Sequence, residues 1–148
     1  MKPKMRMSKS SEPVLTDIEI KDLMLDPLNP RLRSRENQAS QIEIAKEISS
    51  LIRSHLRDND YICRWGGEEF LVVVKIDNIE GLRRIANKLR LLVSKSVYKL
   101  DTGKELKVTI SIGGSLFIDK ESINDLVSRS DSFMYESKQT GRNKVTVK

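Results

Sequence analysis

The sequence predicts a single domain of mixed α/β (α+β) class. Apolar residues recur at helical spacing in three separate stretches. Between and after these stretches lie short runs rich in β-branched and aromatic residues, a composition typical of strands. The chain has 148 residues, a length that suits one domain with one substantial core. Helices and strands alternate along it, so we expect both kinds of element to share that core.

The three helical stretches are expected to be amphipathic. The first covers residues 42–56 and is broken by the polar residues 57–60. The second covers residues 79–93, and the third covers residues 123–138. Gly141 comes after the third helix in the position where glycine usually ends one.

Four strands are predicted. They are residues 61–63, 71–74, 106–112 and 145–147. In the third strand Val108, Ile110 and Ile112 share one face, and the glycine pair at positions 113 and 114 is expected to end it. The first two strands are separated by a few residues only, so they are expected to form a hairpin.

The connection of that hairpin carries the residues of greatest chemical interest. Gly66 and Gly67 suit a tight turn, because both can take a positive φ, and they let a bulky charged group approach the main chain. Glu68 and Glu69 come directly after them, and strand alternation predicts that they point to opposite faces of the sheet. A carboxylate here could hold a hard cation such as Mg²⁺.

The composition favours a cytoplasmic protein. No apolar run approaches the length of a membrane span, and the N-terminus lacks the apolar core of a signal peptide. The only cysteine, Cys63, excludes an internal disulfide and falls in a predicted strand, where a packed thiol is expected. The only histidine, His55, has no second ligand nearby in sequence, so we expect no histidine-based zinc site. The short apolar runs likewise predict no membrane segment.

The net charge of +6, from 27 basic and 21 acidic residues, favours an anionic partner. A nucleotide, a nucleic acid or a lipid headgroup would each satisfy it. Residues 1–13 form a basic leader whose serines, prolines and four cations predict disorder. Because the leader has no aromatic residue, a solvated end is favoured over a nucleic-acid-binding tail.

Residues 14–41 form an atypical N-terminal segment. Residues 18–25 are compatible with a short strand, after which Pro27 and Pro30 interrupt regular structure. From Ile42 onward the pattern is regular, so the main domain is expected to span residues 42–148.

Three motifs resemble the GGDEF family of diguanylate cyclases, and they follow one another in the same order as in that family. The string from Arg64 to Phe70, Arg-Trp-Gly-Gly-Glu-Glu-Phe, resembles the signature loop in its Gly-Gly-Glu-Glu-Phe form. Residues 108–113, Val-Thr-Ile-Ser-Ile-Gly, resemble the Val-Thr-x-Ser-x-Gly strand of the family. Residues 129–143 resemble its closing helix and Gly-Arg-Asn turn. The resemblance covers residues 42–148.

This resemblance implies a palm-like, nucleotidyl-cyclase-type domain whose central, mostly antiparallel sheet is flanked by helices. It implies condensation of two GTP molecules into cyclic di-GMP by a homodimer that uses Mg²⁺, with Mn²⁺ as a substitute. Glu68 matches the metal-binding and catalytic position, and Glu69 supports metal and nucleotide beside it. Gly66 and Gly67 would let the backbone approach the phosphates. Lys138 and Arg142, four positions apart, match the phosphate contacts of the family and are expected on one helical face.

Arg57 and Asp60 resemble the inhibitory cyclic di-GMP site of the family. They form an Arg-x-x-Asp pattern with five residues between Asp60 and the glycine pair. The arginine would fork onto a guanine edge or a phosphate, and the aspartate would accept hydrogen bonds from guanine.

The front of the domain departs from the family pattern. Asp26 lies 40 positions before Gly66 and could be the metal-binding aspartate that ends the first core strand. The Asp-x-Asp-x-Phe-Lys continuation of the family is absent, as are its guanine-recognising Asn and Asp. Residues 20–31 also resemble the opening of ParB/sulfiredoxin-like domains, with Leu25-Asp-Pro-Leu-Asn-Pro-Arg31 at its centre. Residues 14–41 are therefore either a degenerate first strand or a foreign fragment.

Two alternatives to catalysis stay open at this point. One is an inactive GGDEF module that binds cyclic di-GMP through Arg57 and Asp60. The other is a nucleic-acid-binding protein that uses the segment from Leu25 to Arg31 together with the basic leader.

Overall fold

The computed structural model describes residues 35–148, with side chains from Gln41 onward. The predictions made for residues 1–34 lie outside these described residues. They include the basic leader, the strand at 18–25, the ParB/sulfiredoxin-like segment and Asp26 as a metal ligand.

The mixed α+β class is confirmed. The helices are α1 (Arg35–Arg53), α2 (Ile79–Lys95) and α3 (Ile123–Gln139), and the strands are β1 (Tyr61–Arg64), β2 (Phe70–Val73), β3 (Tyr98–Lys99), β4 (Glu105–Leu106), β5 (Ile112–Gly114) and β6 (Val145–Val147). None of the helices within residues 35–148 is long and apolar enough to cross a bilayer. The three predicted helices are all present.

Side-chain caps set where α2 and α3 begin. The Asn78 side chain accepts a hydrogen bond of 2.8 Å from the backbone N–H of Gly81 at the start of α2. At the start of α3, Ser122 and Asp125 form a reciprocal capping box, which satisfies backbone donors that the first helical turn leaves unpaired. Gly141, with φ of 121°, comes directly after the C-cap Thr140 of α3, as predicted.

The strands form three two-stranded ladders within residues 35–148. The β1–β2 and β3–β4 ladders are antiparallel, and the β5–β6 ladder is parallel. The β1–β2 register pairs Cys63 with Leu71. Burial raises the pKa of the Cys63 thiol, with a smaller opposing effect from a backbone hydrogen bond at Leu71. The thiol therefore packs in its protonated form, in agreement with the role expected from the sequence.

The predicted continuous strand at 106–112 is wrong in extent. Leu106 ends β4, whereas Ile112 begins β5, so the two ends of the predicted strand belong to different ladders. The glycine pair at 113 and 114 forms the last two residues of β5, so it ends this strand as predicted. A Cβ at Gly113 would lie 2.0 Å from the backbone nitrogen of Met134, so glycine is needed here for the close approach of α3.

The core joins α1 and α2 to the hairpin. Its buried members are Ile48 and Ile52 of α1, Leu89 and Val93 of α2, and Tyr98 of β3. Half-buried apolar residues pack against them, including Ile62, Phe70, Val72, Val108, Ile110 and Ile112. Each fully buried aliphatic side chain contributes about 1.5–3 kcal/mol relative to an exposed one. The hairpin is thereby fixed on its inner side, and its connecting loop is presented at the edge of the domain.

Candidate functional site

The signature loop consists of the five residues between β1 and β2, residues 65–69. The N–H of Trp65 donates to the carbonyl of Glu69 at 2.8 Å, and the N–H of Gly66 donates to the same carbonyl at 3.3 Å. The N–H of Glu69 donates back to the carbonyl of Gly66 at 3.3 Å. Main-chain hydrogen bonds thus close the loop and leave the glutamate side chains outside it.

Two expectations for this loop are wrong. The connection is longer than a tight two-residue turn, and the positive φ values of the described glycines fall at Gly103 and Gly141 rather than at Gly66. Glu68 and Glu69 both lie in the loop rather than in β2, so strand alternation does not decide their directions. Glu68 is exposed, while the half-buried Glu69 folds back over Gly66, where a Cβ would lie 3.5 Å from its Oε2.

Arg64 holds the loop from the end of β1. Its Nε donates to the carbonyl of Gly67 at 3.1 Å, and its Nη2 donates to the same oxygen. Two donors of one rigid guanidinium therefore fix the carbonyl that directly precedes Glu68. This role of Arg64 was not predicted from the sequence. The available signal was an arginine placed three positions before Gly67 and directly after the predicted strand at 61–63.

α3 brings a cation to the same loop. Nζ of Lys138 lies 3.5 Å from Oε1 of Glu69, although the two residues are 69 positions apart in the chain. Their side chains remain 32% and 42% exposed, so the pair contributes at most about 1 kcal/mol to stability. One carboxylate of the signature loop, a bare glycine backbone and an ammonium group therefore meet at one edge of the domain.

Arg142 does not share a helical face with Lys138, so that expectation is wrong. α3 ends at Gln139, and Arg142 lies in the turn after it with φ of 58°. Its N–H donates to the carbonyl of Ser137 at 3.0 Å, as in a Schellman motif, because Gly141 turns the chain out of the helix. Its side chain is exposed.

The second candidate site, at residues 57–60, is a turn built around a buried carboxylate. Asp60 is only 4% exposed. Its Oδ2 accepts a hydrogen bond of 2.9 Å from the N–H of Arg57, and its Oδ1 accepts one of 3.4 Å from the N–H of Lys75. The Arg57 side chain, by contrast, is exposed. The carboxylate therefore shapes the turn, and the arginine is the group that faces solvent.

A depression of about 440 Å³ opens beside this turn. It is lined by Arg57, Asp58, Asn59, Asp60, Lys75 and Asp77. Arg53, at the end of α1, supports the turn because its guanidinium donates to the carbonyls of Arg57, at 2.9 Å, and of Asp60. Sequence reasoning missed both Arg53 and Lys75, since neither belongs to the Arg-x-x-Asp pattern.

The described residues fit a magnesium ion through donor chemistry. Within residues 41–148, no group of three or more His, Cys, Asp and Glu side chains is close enough to hold a metal by itself. Mg²⁺ in nucleotide enzymes is usually held by one or two carboxylates together with substrate phosphates and water. Glu68 and Glu69 supply carboxylates of this kind.

Comparison with known proteins gives the same family as the motifs. The family model described as diguanylate cyclase, GGDEF domain, matches residues 43–144. Diguanylate cyclase A of Treponema denticola is 39% identical over 105 residues, which cover 70% of this chain and 28% of that protein. The chain spans less than a third of the length of the curated relatives it matches first.

Solved structures are similar in fold. The GGDEF domain of DgcB from Caulobacter crescentus, in complex with c-di-GMP, is 25% identical with a TM-score of 0.65, covering 75% of this chain and 63% of that chain. The active GGEEF domain of a diguanylate cyclase from Vibrio cholerae is 25% identical with a TM-score of 0.62, covering 72% of this chain and 67% of that chain. The palm-like fold and the three motifs thus converge, and the chain belongs to the GGDEF family.

Proposed function

We propose that this chain condenses two GTP molecules into cyclic di-GMP, as one half of a homodimer that uses Mg²⁺. The observation that carries the proposal is the contact of Lys138 with Glu69 at the signature loop. It brings a cation suited to phosphate binding against a carboxylate of the loop, although the two parts of the chain are far apart in sequence. The family membership supports the same reaction.

Each residue of the site has a role in this proposal. Glu68 and Glu69 would hold the magnesium ion, with Asp26 as a further carboxylate. The ion would supply charge neutralisation on the phosphates and a more acidic 3′-hydroxyl. Lys138 binds phosphate oxygens as a point charge, and Arg142 adds a fork of donors from the turn after α3.

The reaction requires two domains. One signature loop holds one nucleotide, so the second GTP must come from a facing copy of the chain. Each 3′-hydroxyl oxygen forms a bond to the α-phosphorus of the opposite GTP, loses its proton, and displaces pyrophosphate. Two such steps close the ring and release two pyrophosphates. Proximity and charge stabilisation, rather than a covalent intermediate with the protein, supply the rate.

Turnover measured against protein concentration tests the proposal. At saturating GTP and Mg²⁺, cyclic di-GMP formed per chain should rise with protein concentration. Glu68→Ala should lower the rate by roughly a hundredfold, the scale of losing one preorganised electrostatic contact. Glu105→Ala is the control, because Glu105 is an exposed glutamate that pairs with Lys99 on the β3–β4 ladder. Full activity of Glu68→Ala, or formation of cyclic di-GMP by a strictly monomeric sample, would refute this mechanism.

A second candidate function is a catalytically silent module that binds cyclic di-GMP at the Arg57–Asp60 turn. It is favoured by the exposed Arg57 side chain beside the depression of about 440 Å³. A folded protein that makes no product at any concentration, yet binds cyclic di-GMP, would support this function over catalysis.

A further inference from the structure

The outer face of α2 carries a stripe of positive charge around an exposed leucine. Arg84, Lys88, Leu91 and Lys95 recur at intervals of four, three and four residues, so they lie along one face of the helix. The three cations are exposed, and Leu91 is 41% exposed. A depression of about 620 Å³, here called the α2 groove, runs beside this stripe. Its lining is His55, Glu80, Arg83, Arg84, Asn87, Lys88, Leu91, Leu92 and Lys95.

The cations of the stripe are not neutralised by the part of the chain that the structure describes. Arg83, one position before the stripe, pairs with Glu80 and donates to the carbonyl of Val147 at 3.2 Å. Arg84, Lys88 and Lys95 make no side-chain hydrogen bond or ion pair within residues 41–148. Like charges four residues apart on a helix destabilise it, so an acidic partner in the groove would relieve this repulsion.

The groove combines its charge with apolar surface. Leu91 and the half-buried Leu92 form part of its lining, and the lysine and arginine stems add methylene groups. Its lining contains no Phe, Tyr or Trp on which a nucleic-acid base could stack. These features suit a peptide that alternates carboxylates with aliphatic side chains.

Such a peptide lies in this chain. Residues 12–22 contain Glu12, Asp17, Glu19 and Asp22 against the single cation Lys21, and they include Val14, Leu15, Ile18 and Ile20. We propose that residues 12–22 dock in cis on the α2 groove, with carboxylates on the stripe cations and aliphatic side chains on Leu91. This inference does not depend on catalysis at the signature loop, and it is an alternative to the short strand expected at residues 18–25 and to Asp26 as a metal ligand.

The connecting chain is long enough for this placement. Residues 23–34 separate the acidic segment from α1, and twelve extended residues span about 40 Å. α1 has 19 residues and is therefore about 28 Å long. His55, two positions after the end of α1, lines the groove. The connection can thus run back along α1 to the groove.

Zero-length cross-linking of the full chain tests the docking. A carbodiimide joins a carboxylate to a lysine amine only where the two are in contact. Mass spectrometry should find residues 12–22 coupled to Lys88 and Lys95, and not to the controls Lys104 and Lys107, which are also exposed. The yield should fall between 0.1 M and 1 M salt, as the Debye length shortens from about 10 Å to about 3 Å.

Variants and isotope labelling complete the test. Lys88→Glu should lower coupling at Lys95 roughly two- to fivefold, the worth of one exposed ion pair. Adding Glu19→Lys to Lys88→Glu should restore docking through a new coupling between positions 19 and 88. A mixture of ¹⁵N-labelled and unlabelled chains should give products from single chains only. Equal coupling to Lys104 and Lys107, no coupling at Lys88, or mixed-label products would each overturn docking in cis.

Discussion

The two loops that flank β1 use the same residue types in opposite ways. In the turn at 57–60, before the strand, Asp60 is buried and accepts backbone hydrogen bonds, while Arg57 faces solvent. In the loop at 65–69, after the strand, Arg64 is committed to the carbonyl of Gly67, while the glutamates remain outside the main-chain ring.

The contrast separates the side chains that shape each loop from those that can contact a ligand. A side chain whose polar atoms already satisfy backbone groups shapes the loop, and removing it costs stability. A side chain that faces solvent costs little stability to remove and can change partners. We therefore expect recognition in the first loop to depend on Arg57, with Asp60 and Arg64 acting mainly on structure.

The largest effect is expected for cyclic di-GMP binding to Arg57→Ala. A forked hydrogen bond to a charged group contributes about 1.5–3 kcal/mol, so affinity should fall roughly ten- to a hundredfold. The melting temperature should not change, because the Arg57 side chain is exposed. Calorimetric titration at physiological salt measures the affinity, and Lys107→Ala, an exposed cation on the β4–β5 connection, is the control.

Salt and deletion distinguish this site from nucleic-acid binding. Directional recognition of guanine should depend weakly on salt and survive deletion of residues 1–13. Binding of DNA through the basic leader would release counterions and weaken steeply as salt rises. Unchanged cyclic di-GMP affinity in Arg57→Ala would remove Arg57 from the site.

The next largest effect is expected for the stability of Asp60→Ala. This change leaves the N–H groups of Arg57 and Lys75 without their acceptor, at a cost of about 1–3 kcal/mol in the free energy of unfolding. Asp58→Ala removes an exposed carboxylate from the same turn and should change that free energy by no more than about 0.5 kcal/mol. Urea denaturation measures both. Equal stabilities of the two variants would contradict the structural role of Asp60.

A smaller effect is expected for Arg64→Ala, because the Gly67 carbonyl can bond water once the guanidinium is gone. The loss should be about 0.5–1.5 kcal/mol in the free energy of unfolding, the net worth of an ordinary hydrogen bond. Arg64→Lys should recover only part of it, since an ammonium group lacks the planar fork. If Arg64→Lys matched the wild type, the two-donor contact with Gly67 would not be what holds the loop.

The helices and the position of the hairpin could be predicted from sequence because their signals are local. Apolar residues at helical spacing located α2 and α3 to within two residues at either end. The same signal located α1 less well, because its first turns, from Arg35, are polar. Gly66 and Gly67 correctly marked the connection between β1 and β2.

The details that sequence missed depend on contacts between distant parts of the chain. The carboxylate of Asp60 accepts a hydrogen bond from the N–H of Lys75, fifteen positions further on, and no local sequence pattern predicts that bond. The strand predicted at 106–112 is divided because its two ends pair with different partners, β3 and β6. Arg142 leaves the helical face because Gly141 ends α3 before it. The contact of Lys138 with Glu69 joins positions that only the family resemblance had placed in one site.

The smallest effect concerns Asp125, a carboxylate that is hydrogen-bonded like Asp60 but exposed rather than buried. Its Oδ2 accepts from the Ser122 hydroxyl at 2.7 Å and from the Ser122 N–H at 3.3 Å. The bond from the hydroxyl, and to a smaller extent that from the N–H, lowers the pKa of Asp125 below its usual value of 3.8. A lowered folded pKa means that the contribution of Asp125 to stability is present above that usual value and lost as the pH falls through the folded pKa.

The free energies of unfolding of the wild type and Asp125→Asn, measured by urea denaturation, should therefore differ most at neutral pH and converge in acid. The difference should be small throughout, because solvent screens an exposed group. A difference that is constant from neutral pH down into acid would show that hydrogen bonding without burial does not favour the ionised carboxylate at this cap.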